Sequence, residues 1–235
     1  MEIADRPSPN FDARPGDVEM LILHYTGMQS AAAAIERLCD PAAKVSAHYV
    51  VEEDGRVWRL VAETQRAWHA GVSSWRGKTD INALSIGIEI VNPGHEFGYR
   101  PFPEPQMAAV EELARGILSR HPIPAHNVVG HSDVAPLRKQ DPGELFDWPR
   151  LGRKGVGFWP DFAIAGVEMP LSPGQTQAFL TQIGYGCPQT DVLDAETGAV
   201  ITAFQRHYRP SCIDGRVDDE TRRRIAVLAA ALQSP

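Results

Sequence analysis

The sequence is short of cysteine, of positive charge and of long apolar runs, and each shortage removes a class of protein. Its three cysteines, Cys39, Cys187 and Cys212, are scattered and odd in number, with no CxxC pair. That argues against a disulfide framework or a cysteine zinc knot and leaves buried free thiols as the expectation. The formal net charge is −7, whereas nucleic acids and anionic membrane surfaces are met by basic patches, so neither is an expected partner. No stretch approaches the ~18 consecutive apolar residues of a membrane span. Residues 1–17, MEIADRPSPNFDARPGD, have neither a basic start nor an apolar run before a cleavage site, and the expectation drawn from them is a cytoplasmic protein. A leader upstream of Met1 would instead make it periplasmic. HExxH, which would fix two metal ligands on one helical turn, is also missing.

What remains has the balance of a soluble globular protein, 43% hydrophobic and 23% charged. The length allows one good core and a second small domain. After an extended arm over 1–17, the run from Val18 to Leu23 reads as a buried strand ending at His24. Ser30 to Leu38 reads as a helix with Ser30 as its N-cap. Ala47–Val51 and Val57–Val61 read as strands joined by a hairpin at Asp54-Gly55. From Leu84 to Val91 the pattern alternates, with Ile86, Ile88 and Ile90 on one face and Ser85, Gly87 and Glu89 on the other. Pro105 to Arg120 carries Met107, Val110, Leu113, Ala114, Ile117 and Leu118 at helical spacing. Asn127 to Val129 is a strand stub before Gly130-His131. Strands interleaved with helices predict an α/β fold, a central sheet flanked by helices.

Residues 149 to 170 are rich in glycine and proline and read as an irregular connecting segment that wraps the first domain, because Phe158, Trp159 and Phe162 need burial. Three short helices are expected after it, Ser172 to Gln182, Asp194 to Tyr208 and Asp218 to Leu232, the first opened by a Ser172/Gln175 capping box. The expected division is 1–170 for the main domain and 171–235 for a small three-helix bundle that leans on it, since so small a bundle has a marginal core.

His24 and His131 each follow a strand, and Asp141 lies ten residues beyond His131. Zinc accepts such a set and, in catalytic sites, keeps a fourth position for water. A lone histidine beside an apolar element is more often structural, so spacing leaves this open. Glu89 points away from the isoleucine face, toward solvent or toward a cleft. Lys139 reads equally as a surface lysine. Trp68 and Trp75 could pack against sugar or peptide, or simply fill the core.

Four ordered segments narrow these choices: LILHYTG, AWHAGVSSWRG, SIGIEIVN and GHSDVAPLRKQDPGELFDW. Together, over about residues 17 to 150, they resemble the amidase-2 family of N-acetylmuramoyl-L-alanine amidases, in its AmpD/AmiD-like branch. The tail, with AVITAFQRHYRP and DGRVDDETRRRI, resembles a three-helix peptidoglycan-binding domain, a shorter and less specific match. The resemblance implies a mixed central β-sheet flanked by helices and one Zn2+ held by His24, His131 and Asp141. It also implies Glu89 as acid/base residue, Lys139 as stabiliser of the tetrahedral intermediate, and His69 as a lining of the substrate cleft. The implied substrate is a muropeptide or peptidoglycan, cut between muramic acid and L-alanine, with 1,6-anhydro-muropeptide recycling as the expected role. Two alternatives are a recognition module that does not cut and an exported lytic amidase acting on intact wall.

Overall fold

Period-two alternation in a few short strands builds the sheet that carries the site. The computed structural model describes residues 1–163 and 171–233. In chain order, β1 (Ile3–Asp5) and β2 (Phe11–Ala13) lie in the amino-terminal arm, followed by β3 (Met20–Tyr25), α1 (Ala31–Cys39), β4 (Tyr49–Val51) and β5 (Val57–Arg59). Then come β6 (Gln65–Ala67), α2 (Ile81–Leu84), β7 (Ser85–Ile90), α3 (Gly94–Phe97), α4 (Glu104–Arg120), β8 (Val128–Gly130), α5 (His131–Val134) and α6 (Trp148–Arg153). The last three helices are α7 (Pro173–Ile183), α8 (Ala195–Tyr208) and α9 (Asp219–Ala231).

Six strands form one sheet in the order β1-β5-β4-β7-β3-β8. All neighbours are parallel except β4 and β5, which are the expected hairpin. Gly55 in its turn has φ +89°, and a Cβ there would stand 2.9 Å from the Pro105 carbonyl oxygen, so the turn requires glycine. The mixed sheet flanked by helices, with a helical carboxyl-terminal part, is the fold the sequence predicts.

Alternation divides the core. Leu21 and Leu23 of β3 join Ile86, Ile88 and Ile90 of β7 beneath Met107, Val110, Leu113 and Ile117 of α4. Met20 and Ile22 face the other way, into a cluster with Leu180, Tyr185, Phe204, Ile225 and Leu228 from α7–α9 and their connections. The carboxyl-terminal helices therefore cover the sheet face opposite α4. Ser30 caps α1 by accepting from the Ala33 amide, and the Ser172/Gln175 capping box forms at α7, both as the sequence suggests.

Two expectations change. The arm is extended but pinned. β1 adds to β5 and β2 pairs with β6, while the Arg14 guanidinium donates to the carbonyls of Glu63, Gln65, Ala83 and Ser85 at 2.7–3.0 Å. The segment from 149 is not irregular throughout. Asp147 accepts from the Arg150 amide at 3.0 Å and Pro149 fits the first turn, so α6 forms. Beyond α6, Phe162 is buried and Trp159 stacks on Tyr208 of α8. The remainder of the expected connecting segment, residues 164–170, lies outside the described residues.

Candidate metal centre and its cleft

Register brings the chemistry together. β3 and β7 run parallel with Met20 opposite Ser85, Ile22 opposite Gly87 and His24 opposite Glu89. Side chains alternate across a sheet, so Ser85, Gly87 and Glu89 share the face that carries His24. On the other side of β3, Leu23 pairs with Gly130, which sets His131, the first residue of α5, beside His24. The following loop folds back, and the Ser132 amide donates to the Asp141 carbonyl at 2.9 Å. Gly130 allows this return, because a Cβ there would stand 2.7 Å from Pro142 Cδ.

The result is a triangle of three buried donor atoms. His24 Nδ1, His131 Nδ1 and Asp141 Oδ2 lie 3.0 Å from one another along every edge. A tetrahedral zinc with bonds of about 2.0–2.1 Å separates its ligands by roughly 3.3 Å. Two imidazoles and one carboxylate on such a triangle fit zinc in both chemistry and spacing. Burial, followed by the neighbouring His131, holds His24 down to about 4. Burial acts to raise Asp141, yet the charge and hydrogen bond of His131, then those of His24, hold it well below the usual carboxylate range. A metal requires unprotonated imidazoles and an ionised carboxylate, and the shifts of His24 and Asp141 both run in that direction.

Glu89 sits beside this triangle with its Oε2 buried and unpartnered. Burial first, and the Asp141 charge second, push its carboxyl well above the usual range, with Lys139 opposing. A cleft of about 590 Å³ opens over the group, lined among others by Tyr25, Trp68, His69, Glu89, Lys139 and Asp141. Trp68 is half-buried and donates its indole N–H to Asp12 Oδ2 at 3.2 Å. His69 reaches the cleft but is only 9% exposed, and its Nδ1 meets His24 Nε2 at 3.0 Å.

Trp75 does not belong to the cleft. It is 2% exposed, meets Tyr185 edge to face at 5.1 Å, and donates to Asn127 Oδ1 at 3.3 Å. Its large apolar surface fills the junction between the sheet and the carboxyl-terminal helices, which is the core role left open by the sequence.

A buried network escapes the sequence reading altogether. Asp133, two residues after His131, accepts from the Gly130 amide, the Tyr185 hydroxyl and His207 Nδ1, each at 2.7 Å. His207 is stacked between Trp148 and Tyr208, with ring centroids 3.8 and 3.9 Å away. Tyr185 and His207 lie 52 and 74 residues from Asp133 along the chain, so no local pattern announces them. Ser85 and Gly87 were legible as the polar face of β7, but not as neighbours of His69.

Comparison with known proteins gives a consistent picture. Residues 14–144 match the N-acetylmuramoyl-L-alanine amidase family, and residues 174–225 match a peptidoglycan binding domain family. The chain is 39% identical over 224 residues to N-acetylmuramoyl-L-alanine amidase AmiD of Escherichia coli, covering 87% of this chain and 79% of AmiD. It is 35% identical to 1,6-anhydro-N-acetylmuramyl-L-alanine amidase AmpD of Haemophilus influenzae, covering 61% of this chain and 86% of AmpD. The solved complex of E. coli AmiD with anhydro-N-acetylmuramic acid-L-Ala-D-gamma-Glu-L-Lys superposes with a TM-score of 0.81, at 35% identity, covering 94% of this chain and 92% of that one. AmpDh3 of Pseudomonas aeruginosa in complex with anhydromuramic pentapeptide also gives 0.81 at 35% identity, covering 96% and 95%.

Proposed function

The chain belongs to the N-acetylmuramoyl-L-alanine amidase family, and from that premise we propose a zinc-dependent amidase that cleaves anhydro-muropeptides at the bond between the lactyl carbonyl and L-alanine. The observation that carries the metal reading is the triangle of His24 Nδ1, His131 Nδ1 and Asp141 Oδ2 beside an unpartnered Glu89 oxygen. When bound there, zinc supplies the positive charge that acidifies a water and polarises a carbonyl.

The chain's own groups do the rest. Glu89, its carboxyl held in the cleft next to His24, takes the proton of the attacking water. It then returns that proton to the alanine nitrogen as the amide breaks. Lys139, two residues from Asp141 on the returning loop, offers its ammonium to the charge that develops on the carbonyl oxygen. Trp68 presents an aromatic wall to sugar or peptide. His24, His131 and Asp141 come from rigid strand ends and a loop tied back by the Ser132 amide, so the donors need little reorganisation.

The anhydro-muropeptide as substrate rests on relatives whose solved complexes hold anhydromuramyl peptides. Residues 171–235 are read as a peptidoglycan-binding-like unit after a catalytic domain over 1–170, and their match to a binding family favours polymeric wall as a second substrate. No helix among the described residues is long and apolar enough to cross a membrane. A role in recycling soluble fragments goes with a cytoplasmic place, which a fusion of the native gene to an export-dependent reporter tests. The decisive assay is metal analysis of purified protein combined with mass spectrometry of products from anhydro-muropeptides and from whole sacculi. One zinc per chain and release of free stem peptide support the reading. Binding without cleavage in the zinc-loaded protein overturns it.

A further inference from the structure

Both imidazoles of the metal triangle have a second nitrogen, and one short segment reaches behind both of them. His131 Nε2 donates to the Ala70 carbonyl at 3.0 Å. A carbonyl can only accept, so His131 Nδ1 is the bare nitrogen that faces the centre. For His24 the partner is a side chain, His69, whose Nδ1 lies 3.0 Å from His24 Nε2. Two imidazole nitrogens in contact do not declare which one carries the proton, and the answer lies farther along. His69 Nε2 is 3.3 Å from Ser85 Oγ, and Ser85 Oγ donates to the Ile81 carbonyl at 2.5 Å.

Ser85 has one proton, and it goes to Ile81. Its hydroxyl oxygen must then accept from His69 Nε2–H. A neutral His69 protonated on Nε2 has a bare Nδ1, which accepts from His24 Nε2–H. His24 Nδ1 is thereby left bare, facing His131 Nδ1 and Asp141 Oδ2. A single proton assignment satisfies every member of the chain, and it is the one that leaves lone pairs on the metal side of both histidines.

We propose that His69 is a positioning residue of the metal centre, which fixes the tautomer and ring orientation of His24 through a relay ending at Ser85 and the Ile81 carbonyl. The surroundings support this placement. A Cβ at Gly87 would stand 2.6 Å from the His69 ring, so β7 carries glycine where the ring must lie against it. Asn82 Oδ1 accepts from the amides of both His69 and Ala70, at 3.0 and 2.7 Å. That single side chain clamps the backbone from which both imidazoles are steadied. The function of the segment is thus to hold the donors, rather than only to line the cleft.

The inference rests on His24, His131 and Asp141 being the zinc ligands, and its test separates the two ideas. Zinc affinity is measured by chelator competition for the wild type and for His69→Leu, His69→Asn and Ser85→Ala. Loss of an outer partner typically weakens metal binding by about 10–100-fold. His69→Leu is expected to show that loss. His69→Asn, whose Oδ1 can still accept from His24, recovers most of the affinity. Ser85→Ala, which cuts only the far end of the relay, loses less than His69→Leu. Nitrogen-15 spectra of the zinc-loaded wild type are expected to show His24 and His69 both protonated on Nε2, a readout that stands even if a variant fails to fold. His69 protonated on Nδ1, or wild-type zinc affinity in His69→Leu with only KM raised, overturns the relay. A wild-type protein that holds no zinc overturns instead the ligand reading beneath it.

Discussion

Replacing Glu89 with leucine should separate chemistry from stability. Proton transfer by a placed carboxyl contributes roughly 10²–10⁴ in rate, which at about 1.36 kcal/mol per tenfold is roughly 2.7–5.4 kcal/mol of barrier. The same carboxyl is a burden on the fold, because Oε2 is buried with no partner. An unsatisfied buried polar atom costs about 1–3 kcal/mol, and each kcal/mol moves the midpoint of a chain this size by about 2–4 °C. Glu89 remains partly open to the cleft, so the gain belongs at the lower end. Glu89→Leu is therefore expected to lose two to four orders of magnitude in kcat, keep its zinc and melt no lower than wild type, with a rise of a few degrees. Steady-state kinetics on an anhydro-muropeptide, metal analysis and a thermal melt read all three. An unchanged kcat with a raised KM would make Glu89 a contact residue, and a melt lowered by several degrees would mean that its carboxyl is structurally bonded after all.

His131→Ala removes one corner of the donor triangle, and metal analysis should find it without zinc and inactive while circular dichroism stays native; full zinc content would refute the ligand set. The carboxyl-terminal helices should act as a brace. Phe204→Ala at their fully buried contact with the sheet costs about 3–5 kcal/mol, seen in denaturant unfolding, and an unchanged midpoint would show that the two parts are independent. If residues 171–235 also bind wall, the same variant should lose retention on insoluble peptidoglycan more than turnover of soluble fragments. Acid stability should depend on Glu63. Burial acts to raise its carboxyl, but hydrogen bonds from Arg120, Tyr49 and His121 hold it down at about 2. The folded value lies below the ~4.3 of an unfolded glutamate, so the stabilisation is complete above that pH and disappears as pH falls toward 2. Unfolding midpoints between pH 5 and pH 2 should fall less steeply in Glu63→Gln than in wild type, and parallel curves would refute the assignment.

Much of this protein is decided locally and so can be read from the sequence. The strand that carries His24, the alternation of Ile86, Ile88 and Ile90 against Ser85, Gly87 and Glu89, the amphipathic helix from Pro105 to Arg120, which the structure begins one residue earlier, and the caps at Ser30 and Ser172 all follow from short-range periodicity and backbone hydrogen bonding. Those patterns also expose the chemical candidates, because a polar residue on an otherwise apolar strand stands out. They do not say which candidates meet. Parallel pairing of β3 with β7 and β8 sets His24 beside both Glu89 and His131 across 107 residues for the second pair. The same folding sends Trp75 into the core while Trp68, seven residues earlier, lines the cleft. His69 looks like a wall of the cleft until its ring is found against Gly87 with His24 at one nitrogen and Ser85 at the other. Asp133 becomes part of the frame only when Tyr185 and His207 arrive from the other end of the chain. Periodicity is a property of neighbours along the chain, whereas a tautomer, a buried hydrogen bond or a donor triangle is set by groups that meet only when distant segments are packed together.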